Sequence, residues 1–306
     1  MGGLSATPPI WCANMLQSHR GVSFSAARSN PRGQPFSGTS MLELEFAQLS
    51  DPGKVRGHNE DFIGYAEPST PEQGRSHGWL FVLADGLGGH DRGEVASQLA
   101  VDTLVSSFYG SPTGEAPRVS LQRLVQSANL KICDCAAATG SGASSMATTL
   151  VACLVRYDLA TVAHVGDSRC YLIRRGHANV LTHDHTLVHE QVRMGILSEA
   201  EAAASDKRHQ LSRSVGNNLF VNADVDQHQL LAGDVLLLSS DGLHGSVTPK
   251  EIAAVVSRFP DLQEAARTLV SLACEKDGSD NISVQLIRIK GIERVGMYRG
   301  RPYKLR

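Results

Sequence analysis

Trp79-Leu80-Phe81-Val82-Leu83-Ala84-Asp85-Gly86-Leu87-Gly88-Gly89-His90 runs an apolar segment straight into an aspartate and a glycine-rich turn. The segment is short and holds aromatic and β-branched residues, which predicts a strand buried on both faces. Asp85 then stands where a buried strand ends, and an unpaired carboxylate there needs a cation or several donors. Gly86, Gly88 and Gly89 let the backbone come close to whatever Asp85 holds. Taken alone, the stretch is equally well read as a strand followed by an ordinary Asp-Gly turn.

The chain uses the same device again. Val235-Leu236-Leu237-Leu238-Ser239-Ser240 leads into Asp241-Gly242, Asp280 precedes the strand-like Ile282–Ile287, and Asn59-Glu60-Asp61 precedes Phe62–Tyr65. Thr161–Val165 likewise leads into Gly166-Asp167-Ser168-Arg169. Acids at several strand ends repel one another if they meet without a cation. Oxygen-only ligands of this kind suit hard divalent ions such as Mg²⁺ or Mn²⁺.

The order Arg56-x-x-Asn59-Glu60-Asp61, Asp85-Gly86-x-Gly88-Gly89, Thr148-Thr149, Gly166-Asp167-Ser168-Arg169, Ser240-Asp241-Gly242 and Asp280-Asn281 resembles the metal-dependent type 2C Ser/Thr protein phosphatase family. The resemblance runs from about Leu44 to Ile289. It implies an α+β fold, a four-layer α/β/β/α sandwich of two antiparallel sheets flanked by helix pairs. It also implies hydrolysis of phosphoserine and phosphothreonine by metal-activated water, with two Mn²⁺ or Mg²⁺ ions and a third, weaker one. By the same resemblance Asp85 bridges the ions and the Gly86 carbonyl adds an oxygen. Asp241 and Asp280 complete the second ion, Glu60 and Asp61 hold metal-bound waters, and Asp167 helps bind the third ion. Arg56 grips the substrate phosphate, a role that a guanidinium fork suits. Asn281 follows Asp280 in the same motif.

Three positions depart from the family pattern. Ala147 replaces the usual glycine before Thr148, which matters only if that residue needs a positive φ. Leu87 stands where some members place a histidine proposed as general acid; His90 is near but not equivalent, so the leaving-group acid is unassigned. Gly245 replaces an acid that contributes to the third ion. The Asp-Gly-Leu-Gly-Gly-His turn and a short flap resemble the bacterial branch, whose members oppose Ser/Thr kinases. The alternative is a catalytically silent module of the same fold that senses phosphoproteins or metal.

The 306 residues divide by composition. Residues 1–40 are rich in Gly, Ser, Pro and Arg without periodicity and read as a disordered extension. Residues 41–289 form the catalytic domain and 290–306 a basic tail. The extension carries +3, the tail +5, and the body −10 of a net −2. An acidic body fits a carboxylate metal site and argues against a nucleic-acid partner. No stretch of about 18 apolar residues offers a membrane span. The expectation is a cytoplasmic monomer acting on phosphorylated proteins within a Ser/Thr kinase pathway. Scattered cysteines such as Cys153 and Cys170 read as buried reduced thiols.

The periodicity predicts a first strand over Leu42–Leu49, helices over Glu94–Phe108 and Ser120–Ala137, and a core strand over Thr148–Val155. Pro68–Gly78 reads as a loop, and Met194–Arg208 as a polar helical flap. Strands are expected over Leu211–Gly216 and Ala223–Leu231, and two further helices over Thr248–Phe259 and Asp261–Lys276. His183, His185 and His189 admit a zinc reading. The stretch Thr182–Leu187 also resembles the family's turn before a helix, with Asp184 as its cap.

Overall fold

The computed structural model describes residues 42–87, 92–139, 146–203, 205–292, 295–298 and 301–304. Gly88, Gly89, His90 and the extension 1–40 lie outside them. The strands are β1 (Glu43–Asp51), β2 (Asp61–Ala66), β3 (Trp79–Asp85), β4 (Leu150–Arg156), β5 (Leu159–Val165), β6 (Arg169–Arg174), β7 (His177–Val180), β8 (Asp224–Gln229), β9 (Val235–Ser239), β10 (Ile282–Gly291), β11 (Val295–Tyr298) and β12 (Arg301–Lys304). The helices are α1 (Pro71–Ser76), α2 (Gly93–Phe108), α3 (Pro117–Ala138), α4 (Leu187–Arg193), α5 (Glu199–Ala203), α6 (Asp241–His244), α7 (Pro249–Arg258) and α8 (Leu262–Lys276).

Two five-stranded antiparallel sheets form the centre, ordered β1-β10-β9-β6-β7 and β2-β3-β4-β5-β8. Helices α2 and α3 cover the outer face of the second sheet, where Leu99, Leu104, Leu121, Leu124 and Ile132 pack on Leu80, Val82 and Leu150. Helices α7 and α8 cover the first, with Ile252, Leu262 and Leu269 against Leu237, Val284 and Leu286. Between the sheets lie Phe81, Leu83, Cys153, Cys170, Leu236, Leu238 and Ile287. The middle strands β3, β4 and β9 are therefore apolar on both faces, which is why their sequences run rather than alternate, whereas β10 alternates Ser283 and Gln285 with Val284 and Leu286. The four-layer sandwich is the architecture expected from the sequence.

Several local readings change. Residues 71–76 form a short helix, capped by Thr70 with Pro71 in the first turn. The helical flap is not continuous: α4 ends at Arg193, Gly195 turns at φ +72°, and α5 starts anew behind Ser198, whose hydroxyl accepts from the Glu201 N–H. Met194 and Ile196 on that turn are exposed, so the flap is not uniformly polar. Residues 211–216 form only isolated bridges, Thr186 to Leu211 and Thr148 to Val215. Thr186, not Asp184, caps α4. Asp184 instead holds the Arg169 guanidinium by two hydrogen bonds of 2.8 and 2.6 Å. Ala147 has no positive φ, so the missing glycine is tolerated. In the basic tail, β11 and β12 pair as a hairpin.

Candidate active site

The carboxylates gather where the central strands of both sheets end. β2 and β3 pair so that Asp61 lies directly opposite Asp85. Like charges in that position destabilise a sheet. The backbone of Asp85 is fixed by the adjacent threonines: Thr148 Oγ1 and the Thr149 N–H both donate to its carbonyl, and its own N–H donates to Thr149 Oγ1 at 3.0 Å. Thr149 Oγ1 also lies 2.7 Å from Ser168 Oγ, which joins this strand end to the residue after Asp167.

Gly86 is required by close approach. A Cβ there would stand 2.4 Å from the Gly93 carbonyl oxygen and 2.7 Å from that of Glu60. Its N–H donates to the Glu60 carbonyl, which also accepts from Ser97 Oγ. Gly242 has the same cause: a Cβ would fall 2.1 Å from the Asn281 carbonyl oxygen. Asn281 ties the region together. Its side-chain N–H groups donate to the carbonyls of Pro52 and His58, and its Oδ1 accepts from the Glu60 N–H.

The electrostatics are those of a site built for cations. Burial, followed by the charges of Asp61, Asp241, Asp167 and Asp280, drives the Asp85 carboxyl well above its usual range. Burial raises Asp61 to about 7, despite a hydroxyl donor from Ser240 to its Oδ2 at 2.8 Å. Asp61 Oδ1 is buried with no hydrogen-bond partner. Burial and then Asp241 push Asp167 up to about 8. Asp241 is raised by burial and Asp280, and Glu60 by burial and Glu94. Arg56 donates to Asp280 Oδ2 at 2.8 Å.

The sequence-expected residues Arg56, Glu60, Asp61, Asp85, Gly86, Asp167, Asp241, Asp280 and Asn281 thus lie in one region. An orphaned buried carboxylate oxygen, like-charged facing residues and a donor set made only of oxygens fit divalent Mg²⁺ or Mn²⁺. His244, the residue before Gly245, places Nε2 3.0 Å from the Asp167 carbonyl oxygen. Sequence reasoning missed His209. Its Nδ1 stands 3.9 Å from Asp241 Oδ2. The only signal was its place in the basic run Lys207-Arg208-His209.

The zinc reading of the histidines changes partner. Among the described residues, His164, His185 and Asp224 bring ligand atoms within 4.8 Å of one another, without His183 or His189. His185 Nδ1 accepts from the Gly166 N–H, which leaves Nε2 as the protonated nitrogen facing Asp224 at 3.3 Å. The Arg213 guanidinium donates to the same Asp224 at 3.0 Å and occupies the role of the cation. This group is a histidine–aspartate–arginine clasp beside the flap.

The sequence profile described as Protein phosphatase 2C matches residues 59–275. A serine/threonine phosphatase stp of Listeria innocua is 34% identical over 255 residues, which cover 82% of this chain and 96% of the relative. The structure of the Streptococcus agalactiae serine/threonine phosphatase superposes with a TM-score of 0.74 at 34% identity, covering 81% of this chain and all of that one. The catalytic domain of the serine/threonine protein phosphatase PstP, solved in complex with two manganese ions, superposes with a TM-score of 0.69 at 32% identity. It covers 81% of this chain and 99% of that one.

Proposed function

We infer the working of this chain from one premise: it belongs to the protein phosphatase 2C family, and it is a protein serine/threonine phosphatase that uses Mn²⁺ or Mg²⁺. The reading of a catalytically silent module is set aside. The observation that carries the reading of the site is the convergence of Asp61, Asp85, Asp167, Asp241 and Asp280 at one end of the sandwich, where the charges of the other four all act on Asp85.

When bound, the divalent ions supply positive charge for phosphoryl transfer and activate the attacking water. The residues divide the remaining work. Asp85, opposite Asp61 across the ladder, would hold metal together with the Gly86 carbonyl. Asp241 and Asp280 would hold metal as well, and Glu60 and Asp61 would orient water. Asp167 would serve a third, weaker site, to which Gly245 brings no side-chain ligand. Arg56 sits at the rim, where releasing Asp280 lets its planar fork take two phosphoryl oxygens. Asn281 and the Thr148-Thr149 pair fix these groups before substrate arrives, so little reorganisation is left for the reaction.

The physiological setting is part of the same proposal. The chain opposes a Ser/Thr kinase, acts as a monomer in the cytoplasm, and carries its activity within residues 41–289. Among the described residues no helix is long and apolar enough to cross a membrane. The test is phosphate release from a phosphothreonine peptide with Mn²⁺ and with chelator. Release that depends on Mn²⁺ supports the reading, and release unaffected by chelation overturns it.

A further inference from the structure

The flap returns to the body through a sequence of tight turns. The N–H groups of Ser205, Arg208 and Gln210 donate to the carbonyls of Ala202, Ser205 and Lys207. Residues 210–212 are then anchored along residues 185–187: Leu187 N–H to the Gln210 carbonyl at 2.9 Å, Ser212 N–H to the His185 carbonyl at 2.8 Å, and a bridge between Thr186 and Leu211. His209 is the residue immediately before this anchor. Its side chain is 61% exposed and reaches to 3.9 Å from Asp241 Oδ2, outside hydrogen-bond range.

That placement has no structural work to do. The imidazole is largely exposed, and it stands beside Asp241, one of the carboxylates proposed to hold metal. Asp241 also feels the charge of Arg56, which reaches Asp280 from the segment between β1 and β2. Two basic side chains from separate elements therefore overhang the same pair of carboxylates. Once those carboxylates hold divalent ions, their negative charge is neutralised and nothing draws His209 toward Asp241. The remaining anion is the phosphoryl group.

We propose that His209 is a substrate-contacting residue of the flap, whose imidazole N–H donates to a non-bridging phosphoryl oxygen opposite Arg56. Even a neutral imidazole carries one N–H, so the contact does not depend on the ring's charge. The proposal deepens the phosphatase reading and rests on it. It gives the chain a second phosphate donor, carried on an element that can sense which protein presents the phosphate.

The experiment compares the Mn²⁺-loaded parent with His209→Ala and His209→Asn, the second retaining a side-chain N–H donor. Calorimetric titration with inorganic phosphate is the main readout. His209→Ala is expected to weaken phosphate roughly five- to tenfold, the loss of one hydrogen bond to a charged group at an exposed site. His209→Asn is expected to recover part of it. KM for a phosphothreonine peptide should rise with kcat changed less, and Mn²⁺ affinity without phosphate should stay that of the parent. A phosphate affinity within twofold of the parent overturns the proposal. So does a loss matched by altered Mn²⁺ affinity, because His209 would then only compensate Asp241. A parent that binds phosphate but does not hydrolyse the peptide overturns the phosphatase reading instead, and is thereby distinguished.

Discussion

Asp85-Gly86 and Asp241-Gly242 are the same dipeptide at the end of a buried strand, one in each sheet, yet their surroundings differ. Asp85 is the last residue of β3, faces Asp61 across the ladder, and has only carboxylates among the charges that raise its pKa. Asp241 opens the four-residue helix α6, and His209, a hydrogen bond with Asp85 and then Arg56 lower its pKa against the burial and Asp280 that raise it. The glycines agree where the acids do not. Each lies against a second backbone, Gly93 in one case and Asn281 in the other. The same sequence signal thus fixes the backbone in both places, while the neighbouring side chains decide how far the charge depends on a cation.

The largest expected effect belongs to Asp85→Asn. Removing the carboxylate should lower Mn²⁺-dependent turnover by about two to three orders of magnitude, as for loss of a principal electrostatic group. It should also raise the melting temperature of the metal-free protein, because a buried charge without a counter-charge is gone. Asp241→Asn should lower turnover too, with a smaller gain in metal-free stability. Equal gains in calorimetry would erase the difference drawn between the two turns, and near-parental turnover of Asp85→Asn would remove it from the bridging place.

Next come the glycines. Gly86→Ala and Gly242→Ala each put a methyl group inside a neighbouring backbone. Each should cost about 1–3 kcal/mol or more of stability, read as a fall in denaturant midpoint. Gly176→Ala is a control of another kind: its Cβ meets nothing within 4 Å, so only its φ of +75° is strained. If Gly86→Ala were no worse than Gly176→Ala, close approach would not be what the glycine serves.

Protonation gives a third test. Asp61 and Asp167 have folded pKa values of about 7 and about 8 against 3.8 when unperturbed. A raised folded pKa contributes stability fully present below pH 3.8 and lost as pH climbs through the folded value. The metal-free protein should therefore melt at least about 5 °C lower at pH 8.5 than at pH 5. Saturating Mn²⁺ should give its larger gain at the higher pH. A flat profile in chelator would show that the carboxylates are already neutralised within the protein.

The smallest effects concern the third site. Asp167→Ala should reduce turnover less than Asp85→Asn. Gly245→Asp should tighten the weakest phase of a Mn²⁺ activity titration, since affinity of oxygen sites follows ligand charge. An unchanged titration would mean that residue 245 does not reach the ion served by Asp167.

The sequence was most legible where backbone chemistry repeats. Apolar runs ending in an acid identified β3, β5 and β9, and the periodicity of α2 and α3 placed the covering helices. It was least legible between residues 182 and 216. There Gly195 turns the chain at a positive φ and, among the described residues of Met194–Arg208, only α5 is helical, and Asp184 leaves the local cap to Thr186 because Arg169, distant in sequence, offers two hydrogen bonds. The nearness of His209 to Asp241 depends on three turns in succession, none of which leaves a periodic trace. The unexpected polar links have the same origin: Ser240 Oγ accepts from the Ser283 N–H and donates to Asp61, so one hydroxyl joins three segments.

The pairing of β1 with β10 sets Glu43 opposite Gly291. The first strand of the domain therefore waits, during synthesis, for nearly the last. Strand pairing at such separation pays its loop-closure entropy before any contact rewards it, which slows folding. Asp280 and Asn281 arrive with that same closing strand. A nascent chain with every earlier carboxylate in place still lacks the residues that anchor Glu60 and hold Arg56. Premature release from the ribosome then yields no partially active phosphatase, only a sheet with an open edge.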